Sequence, residues 1–218
     1  MFGNLLNVFK GKDFLSTVQE EFAVMLKNAQ EMYVLVTGKL LHNEKDEALK
    51  ERIYALDKEI NSMEKAIRRR IMEHLSFNPS EDISLCLILM SIVKDAERVG
   101  DYSKNLYETA SLVEKETDLS KCPALFDLEK DIKELFVKTK EGFIEADEKA
   151  ARLCWDKKHS IKQKCNELIR EVAHSDSPAN EAVVFTLCAR HFKRIASHLT
   201  NIATSMIVPL SDLDHFSA

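Results

Sequence analysis

The chain has 218 residues, a formal net charge of -5, 45% hydrophobic and 31% charged residues, and only 5 glycines and 4 prolines. That balance belongs to a globular chain able to bury a core, and it offers no bulk attraction to nucleic acid or anionic lipid. Richness in Leu, Glu, Lys and Ala with so few turn residues predicts helix and argues against a β-rich fold.

Near the N-terminus, Lys10 and Lys12 follow a short apolar stretch instead of preceding it, with no small-residue cleavage site, which is the wrong order for a secretory signal. The longest apolar run, Ile83 to Val93, broken by Ser84 and Ser91, falls short of the ~20 residues that cross a bilayer as a helix. Both features lead us to expect a cytoplasmic protein.

The first helix is predicted from Asp13 to about Leu41, where Leu15, Val18, Phe22, Met25, Ala29, Met32 and Val36 recur in steps of three and four. His42 and Asn43 interrupt it. A second stripe from about Lys45 runs through Ile53, Leu56, Ile60, Met63, Ile67, Ile71 and Leu75. This helix carries the densest basic run, Arg68-Arg69-Arg70, flanked by Glu64 and Glu73, which reads as a solvated face, with a docking patch as the alternative. Asn78-Pro79 ends the helix, because the residue before proline avoids helical geometry. Ser80, Glu81 and Asp82 supply a cap and favourable charge for a third helix expected to reach about Lys115.

Thr117 to Pro123 is the candidate linker. Beyond it Leu125, Leu128, Ile132, Leu135 and Phe143 mark a fourth helix, a break falls near Asp147, and Ile161, Cys165, Leu168, Ile169 and Val172 mark a fifth. Ser175-Asp176-Ser177-Pro178 opens a sixth, with proline at its first helical position, and Pro209 should end it. Five single cysteines, Cys86, Cys122, Cys154, Cys165 and Cys188, form no CxxC pair and point to buried reduced thiols, not to a disulfide framework or a thiolate zinc site.

The third and sixth helices resemble each other. Arg98-Val99-Gly100-Asp101-Tyr102 with Asn105-Leu106 lines up with Arg194-Ile195-Ala196-Ser197-His198 with Asn201-Ile202. A period of roughly 96 residues is too long for a solenoid repeat and indicates duplication of a three-helix bundle, residues 1–116 and 117–218. The expected fold is therefore all-α, two tandem antiparallel three-helix bundles with six long helices.

Glu97 and Asp101 are four apart, so their carboxylates leave one helix face and could grip a hard cation. Gly100 between them costs helix stability and suggests that another backbone, side chain or ligand comes close there. Asp57 and Asn61 repeat the four-residue step on the second helix, where an antiparallel neighbour would bring them towards Glu97 and Asp101. The plainer alternative makes Asp57, Asp95 and Glu97 surface carboxylates balanced by Lys58, Arg98 and Lys94.

Asp-x-Glu-Arg-Val-Gly-Asp-Tyr-x-x-Asn-Leu, residues 95–106, resembles the signature of the PhoU family, whose members regulate phosphate uptake in bacteria and archaea. Asp95, Arg98, Gly100 and, in the second copy, Arg194 carry it. The resemblance covers nearly the whole chain, because the family's fold is two tandem three-helix bundles. Family members hold metal clusters through E(D)xxxD pairs, which implies metal at Glu97 and Asp101 with Asp57 and Asn61, the ion being iron, zinc, manganese or magnesium. The second half departs from the pattern: Lys193 and Ser197 replace the acidic pair, and Lys162 and Asn166 answer to Asp57 and Asn61. A protonated lysine is no ligand, so the second site is expected to be lost, unless His191 and His198, seven apart on one face, rebuild it.

The resemblance implies a regulator, not an enzyme. It would damp phosphate uptake and the phosphate-starvation response by contacting a phosphate ABC transporter, chiefly its ATPase, or a membrane sensor kinase, reaching the membrane only through such partners, and it would pair as a homodimer. The sequence contains no GxxxxGK[ST], GxSxG or HExxH motif. A di-iron carboxylate enzyme is a poor rival: Glu171 and His174 supply one Glu-x-x-His, but Asp156 and His159 approximate the second on the same helix. A PhoU-like adaptor serving another transporter or channel, without metal, is the remaining alternative.

Overall fold

The computed structural model describes residues 13–77, 83–114, 117, 119–145, 147–205 and 207. Among them are six long α-helices and no strand: α1 (Asp13–His42), α2 (Leu49–Phe77), α3 (Ile83–Ala110), α4 (Pro123–Ile144), α5 (Glu148–Ala173) and α6 (Ala179–Thr204), with a short 3-10 turn at Leu119–Lys121. No described helix is long and apolar enough to cross a membrane.

Local chemistry sets the ends. α2 begins at Leu49, later than its apolar stripe suggests, because Asp46 turns back on the chain and accepts a hydrogen bond from Ala48 N at 2.9 Å. Asp147 caps α5 by accepting from Lys149 N at 2.8 Å and Ala150 N at 3.3 Å, which places the α4/α5 break where the sequence put it. Pro123 occupies the first turn of α4, where a missing N–H is harmless, and Pro178 serves as the N-cap of α6 instead of its first helical residue. α3 stops at Ala110 and α6 at Thr204, both sooner than expected. The Asn78-Pro79-Ser80 break, its caps Glu81 and Asp82, Lys115 and Pro209 lie outside the described residues.

α1, α2 and α3 pack on one another, and so do α4, α5 and α6. The two units meet chiefly along α3 against α6, with a lesser contact of α1 on α4. Their apolar stripes merge into one continuous core. Ile53, Ile60, Ile67 and Ile71 of α2 are fully or nearly fully buried at heptad-like steps, as are Leu128, Ile132 and Leu135 of α4. Each such side chain contributes about 1.5–3 kcal/mol through its removal from water. Aromatic contacts tie α1 to the second unit: Phe22 meets Phe143 edge-on at 4.9 Å, and Tyr33 lies 5.5 Å from Phe136 and 6.0 Å from Phe192. All five cysteines are buried thiols outside any disulfide.

Gly100 answers the question its position raised. A Cβ there would sit 3.0 Å from Cδ1 of Ile60, so the missing side chain lets α2 close on α3. Gly142 does the same between α4 and α5, where a Cβ would meet the Ala151 backbone at 3.2 Å. The Arg68-Arg69-Arg70 run is a solvated face: its members pair with Glu64, Glu73 and Glu21 at 3.2, 3.8 and 2.7 Å.

Candidate functional site

α2 and α3 are consecutive packed helices, and they bring Asp57 near enough to Glu97 and Asp101 for the three carboxylates to act on one another, with Asn61 one turn from Asp57 on α2. Glu97 is buried, at 7% exposure. Asp101 is held above the ordinary carboxylate range by burial first and by the charge of Glu97 next; Asp57 adds to the rise while Arg98 and Lys104 oppose it. The three carboxylates therefore share one field.

Cations answer each of them. Lys94 Nζ lies 2.9 Å from Glu97 Oε2 and Arg98 Nε 3.7 Å from it, so this buried oxygen is held by ion pairs. Arg98 pairs with Asp101 at 2.9 Å and Lys104 with Asp57 at 2.9 Å, so Lys104, not the adjacent Lys58, balances Asp57. Although burial works against its charge, Lys104 is held above the usual lysine range by its hydrogen bond to Asp57 and by the surrounding carboxylates. Asn61 donates through Nδ2 to Asp57 O on its own helix at 2.9 Å. Among the described residues no three His, Cys, Asp or Glu side chains converge as a ligand set. The carboxylates have the donor chemistry of a hard-cation site, but they are engaged by cationic side chains and are not preformed as a coordination shell.

The second unit differs at the same positions. Lys193 Nζ donates to Asn166 Oδ1 at 2.9 Å, joining α6 to α5 at the positions that answer to Glu97 of α3 and Asn61 of α2. His191 and His198 form no ligand pair. His198 donates from Nδ1 to Asp95 Oδ1 at 2.7 Å and has Arg194 against its Nε2 at 3.3 Å, which uses both ring nitrogens. His191 has a buried Nδ1 without a partner, and burial, followed by the charge of Arg190, lowers its pKa to about 4. Both rings rest against Tyr102 of α3, at centroid distances of 5.7 Å for His198 and 6.0 Å for His191. Both residues thus belong to the seam between the units.

Asp95 lies in the same seam, not on the surface. It is buried and also accepts from Asn201 Nδ2 at 3.2 Å, while Arg194 donates from Nε to Tyr102 Oη at 3.0 Å. The 96-residue correspondence explains the pattern, since it pairs Asp95 with His191 and Tyr102 with His198. The contact of Asp95 with His198 and that of His191 with Tyr102 are thus the same contact in the two copies, related by a pseudo-twofold between α3 and α6. The di-iron alternative finds no support in the geometry: His159 and His174 are exposed and bond to Trp155 O and Arg170 O of their own helix.

A family model described as the PhoU domain matches the chain twice, over residues 22–110 and 125–206. The chain belongs to the PhoU family. It is 28% identical over 186 residues, 83% of each chain, to a phosphate-specific transport system accessory protein PhoU homolog of Aquifex aeolicus. It is 33% identical over 103 residues, 47% of this chain and 41% of the other, to PhoU homolog 1 of Thermotoga maritima, a protein of the same description. The fold resembles crystal structures of PhoU from Pseudomonas aeruginosa, with a TM-score of 0.79 and 18% identity over 95% of this chain and 99% of that one. PhoU from Streptococcus pneumoniae gives 0.74 and 19%, over 93% and 97%. Both matched segments contain a third helix of their unit, so the PhoU pattern spans the residues that build the seam.

Proposed function

We propose that this protein is an accessory regulator of phosphate transport that lowers phosphate uptake and the starvation response by contacting a phosphate ABC transporter, chiefly its ATPase, or a membrane sensor kinase. The observation that carries this is the double match of the PhoU domain to a chain whose two units are bound through their signature helices. Two relatives described as accessory to a phosphate-specific transport system support it. Such a protein works in the cytoplasm through its surfaces, and as a homodimer its two copies would double the contact area.

In the same reading Glu97, Asp101, Asp57 and Asn61 take a metal ion when Lys94, Arg98 and Lys104, all on the partly exposed rim, swing away. The burial of Glu97 and the mutual field of Glu97, Asp101 and Asp57 support that role. Metal analysis of the purified chain tests it, and a Glu97→Ala, Asp101→Ala double variant that kept all its bound metal would dismiss the assignment. A second reading, an adaptor for a different transporter or channel that needs no metal, is favoured by the ion pairs that already neutralise the patch.

Affinity capture of the tagged chain from phosphate-replete cells separates the two. Recovery of the phosphate-transporter ATPase or the kinase is expected, whereas recovery of only an unrelated permease favours the adaptor. Recovering no transporter or kinase subunit at all counts against both.

A further inference from the structure

The duplicated geometry sets one face of the second unit apart. Where the first unit gathers the carboxylates of Asp57, Glu97 and Asp101, the corresponding positions of the second hold Lys162, Lys193 and Ser197. At the offset that relates Asp57 to Lys162, the core residue Ile53 of α2 answers to Lys158 of α5, which is buried at 5% exposure with its ammonium 5.1 Å from the Trp155 ring centre. Lys158, Lys162 and Asn166 follow one another at four-residue steps along α5, and Lys193, held to Asn166 at 2.9 Å, faces them from α6 with Arg190 one turn earlier.

These cations are near enough to repel one another. Burial first and the charge of Lys162 next lower the pKa of Lys158; burial, Lys162 and Arg190 together lower that of Lys193. Lys162 and Arg190 make no hydrogen bond or ion pair with any described residue. Their neighbours on α5, Lys157 and Lys164, are both paired with Asp131, at 3.3 and 2.6 Å. Asp95, whose charge favours the ammonium of Lys158, is itself engaged by His198 and Asn201. Asn166 spends its oxygen on Lys193 and keeps Nδ2 free to donate. A face with converging donors and like charges in mutual repulsion, where Lys162, Lys193 and Arg190 have no carboxylate partner among the described residues, is what a multivalent oxyanion stabilises.

We propose that Lys162, Lys193 and Asn166, with Arg190 at the rim, form a binding site for a phosphate-class oxyanion in the groove between α5 and α6. The anion would sit between the two ammonium groups and accept from Asn166, in the position that the first unit gives to its acidic patch. It would be either inorganic phosphate or the phosphoryl group of a larger molecule.

The test is titration of the full chain with inorganic phosphate, against chloride at matched ionic strength, followed by calorimetry and by NMR of the lysine ammonium groups. Saturable binding is expected, with the Lys162 and Lys193 signals shifting and with affinity falling as salt rises. Lys162→Gln and Lys193→Gln, both at partly exposed helix positions, should each weaken binding on the order of tenfold while leaving the helical circular dichroism intact. Lys50→Gln, on exposed α2, should leave it unchanged. A phosphate monoester such as phenyl phosphate, run in parallel, decides the source: tighter binding than inorganic phosphate marks a phosphorylated molecule, equal or weaker binding the free ion, and both support the site. No saturable binding of either compound, or undiminished binding by the double Lys162→Gln, Lys193→Gln variant, overturns the proposal. Because the measurement uses the isolated chain, its failure would leave the partner contacts of the preceding section untouched.

Discussion

Replacing Asp95 by alanine should destabilise the protein more than any single change in the neighbouring acidic patch. Asp95 is buried and receives two hydrogen bonds from the opposite unit, 2.7 Å from His198 and 3.2 Å from Asn201. Each bond to a charged group is worth about 1.5–3 kcal/mol, and their loss is not additive, so a total near 3 kcal/mol is expected. For 218 residues the entropy of unfolding is about 0.46 kcal/mol per degree, which turns that loss into a fall in Tm of about 7 °C. Asp57→Ala removes only a rim pair with Lys104 and should cost less than about 1 kcal/mol. Urea denaturation of wild type, Asp95→Ala, His198→Ala and the double variant would read the Asp95 to His198 coupling directly, expected at about 1–2 kcal/mol. A coupling indistinguishable from zero, or an Asp95→Ala variant as stable as Asp57→Ala, would refute the claim that this pair holds the two units together.

The two glycines should respond differently to alanine. At Gly100 the gain in helix propensity, about 1 kcal/mol, is offset by the 3.0 Å approach to Ile60 Cδ1, so Gly100→Ala should be near neutral alone and stabilising by about 1 kcal/mol in an Ile60→Val background, as thermal melts would show. Gly142→Ala faces Ala151 backbone at 3.2 Å, which cannot yield as a side chain can, and should lower stability by about 1–2 kcal/mol in the same assay. His191 has a pKa of about 4 in the fold against an ordinary 6.5, so the unfolded chain takes its proton first as pH drops and stability is lost between about pH 6.5 and 4. A His191→Phe variant should lose less stability across that interval, and equal losses would contradict the burial of a neutral ring. Burial pushes the thiols of Cys165 and Cys188 up to about 12 and that of Cys154 to about 11, so alkylation at pH 8 should leave these three unmodified in the folded protein and label all of them in denaturant.

Several features were legible because they depend on local periodicity. The apolar steps along α2, the break at Asp147 and the echo of Arg98 to Leu106 in Arg194 to Ile202 all follow from one helix at a time. Helix ends were less legible where a side chain far from the stripe decides them, as Asp46 does by holding the chain in a turn before Leu49. The four-residue spacing of Glu97 and Asp101 sets them on one helix face, and their nearness to Asp57 follows from the packing of consecutive helices across a short connection.

What lies across a helix from a given residue is another matter, because it depends on the rotation at which two helices meet. Sequence could not say that Lys104, and not Lys58, would reach Asp57, that Ile60 would fill the space over Gly100, or that His191 and His198 would rest on Tyr102 rather than face an ion together. It placed Asp95 among surface carboxylates, whereas the pseudo-twofold packing of α3 on α6 buries it opposite His198. The order of residues determined six amphipathic helices in two copies. The tertiary structure decided which charges are neutralised, which are shared between the copies and which, at Lys162 and Lys193, stand without a counterion among the described residues, because electrostatic pairing is set by distances of a few ångströms between segments far apart in the chain.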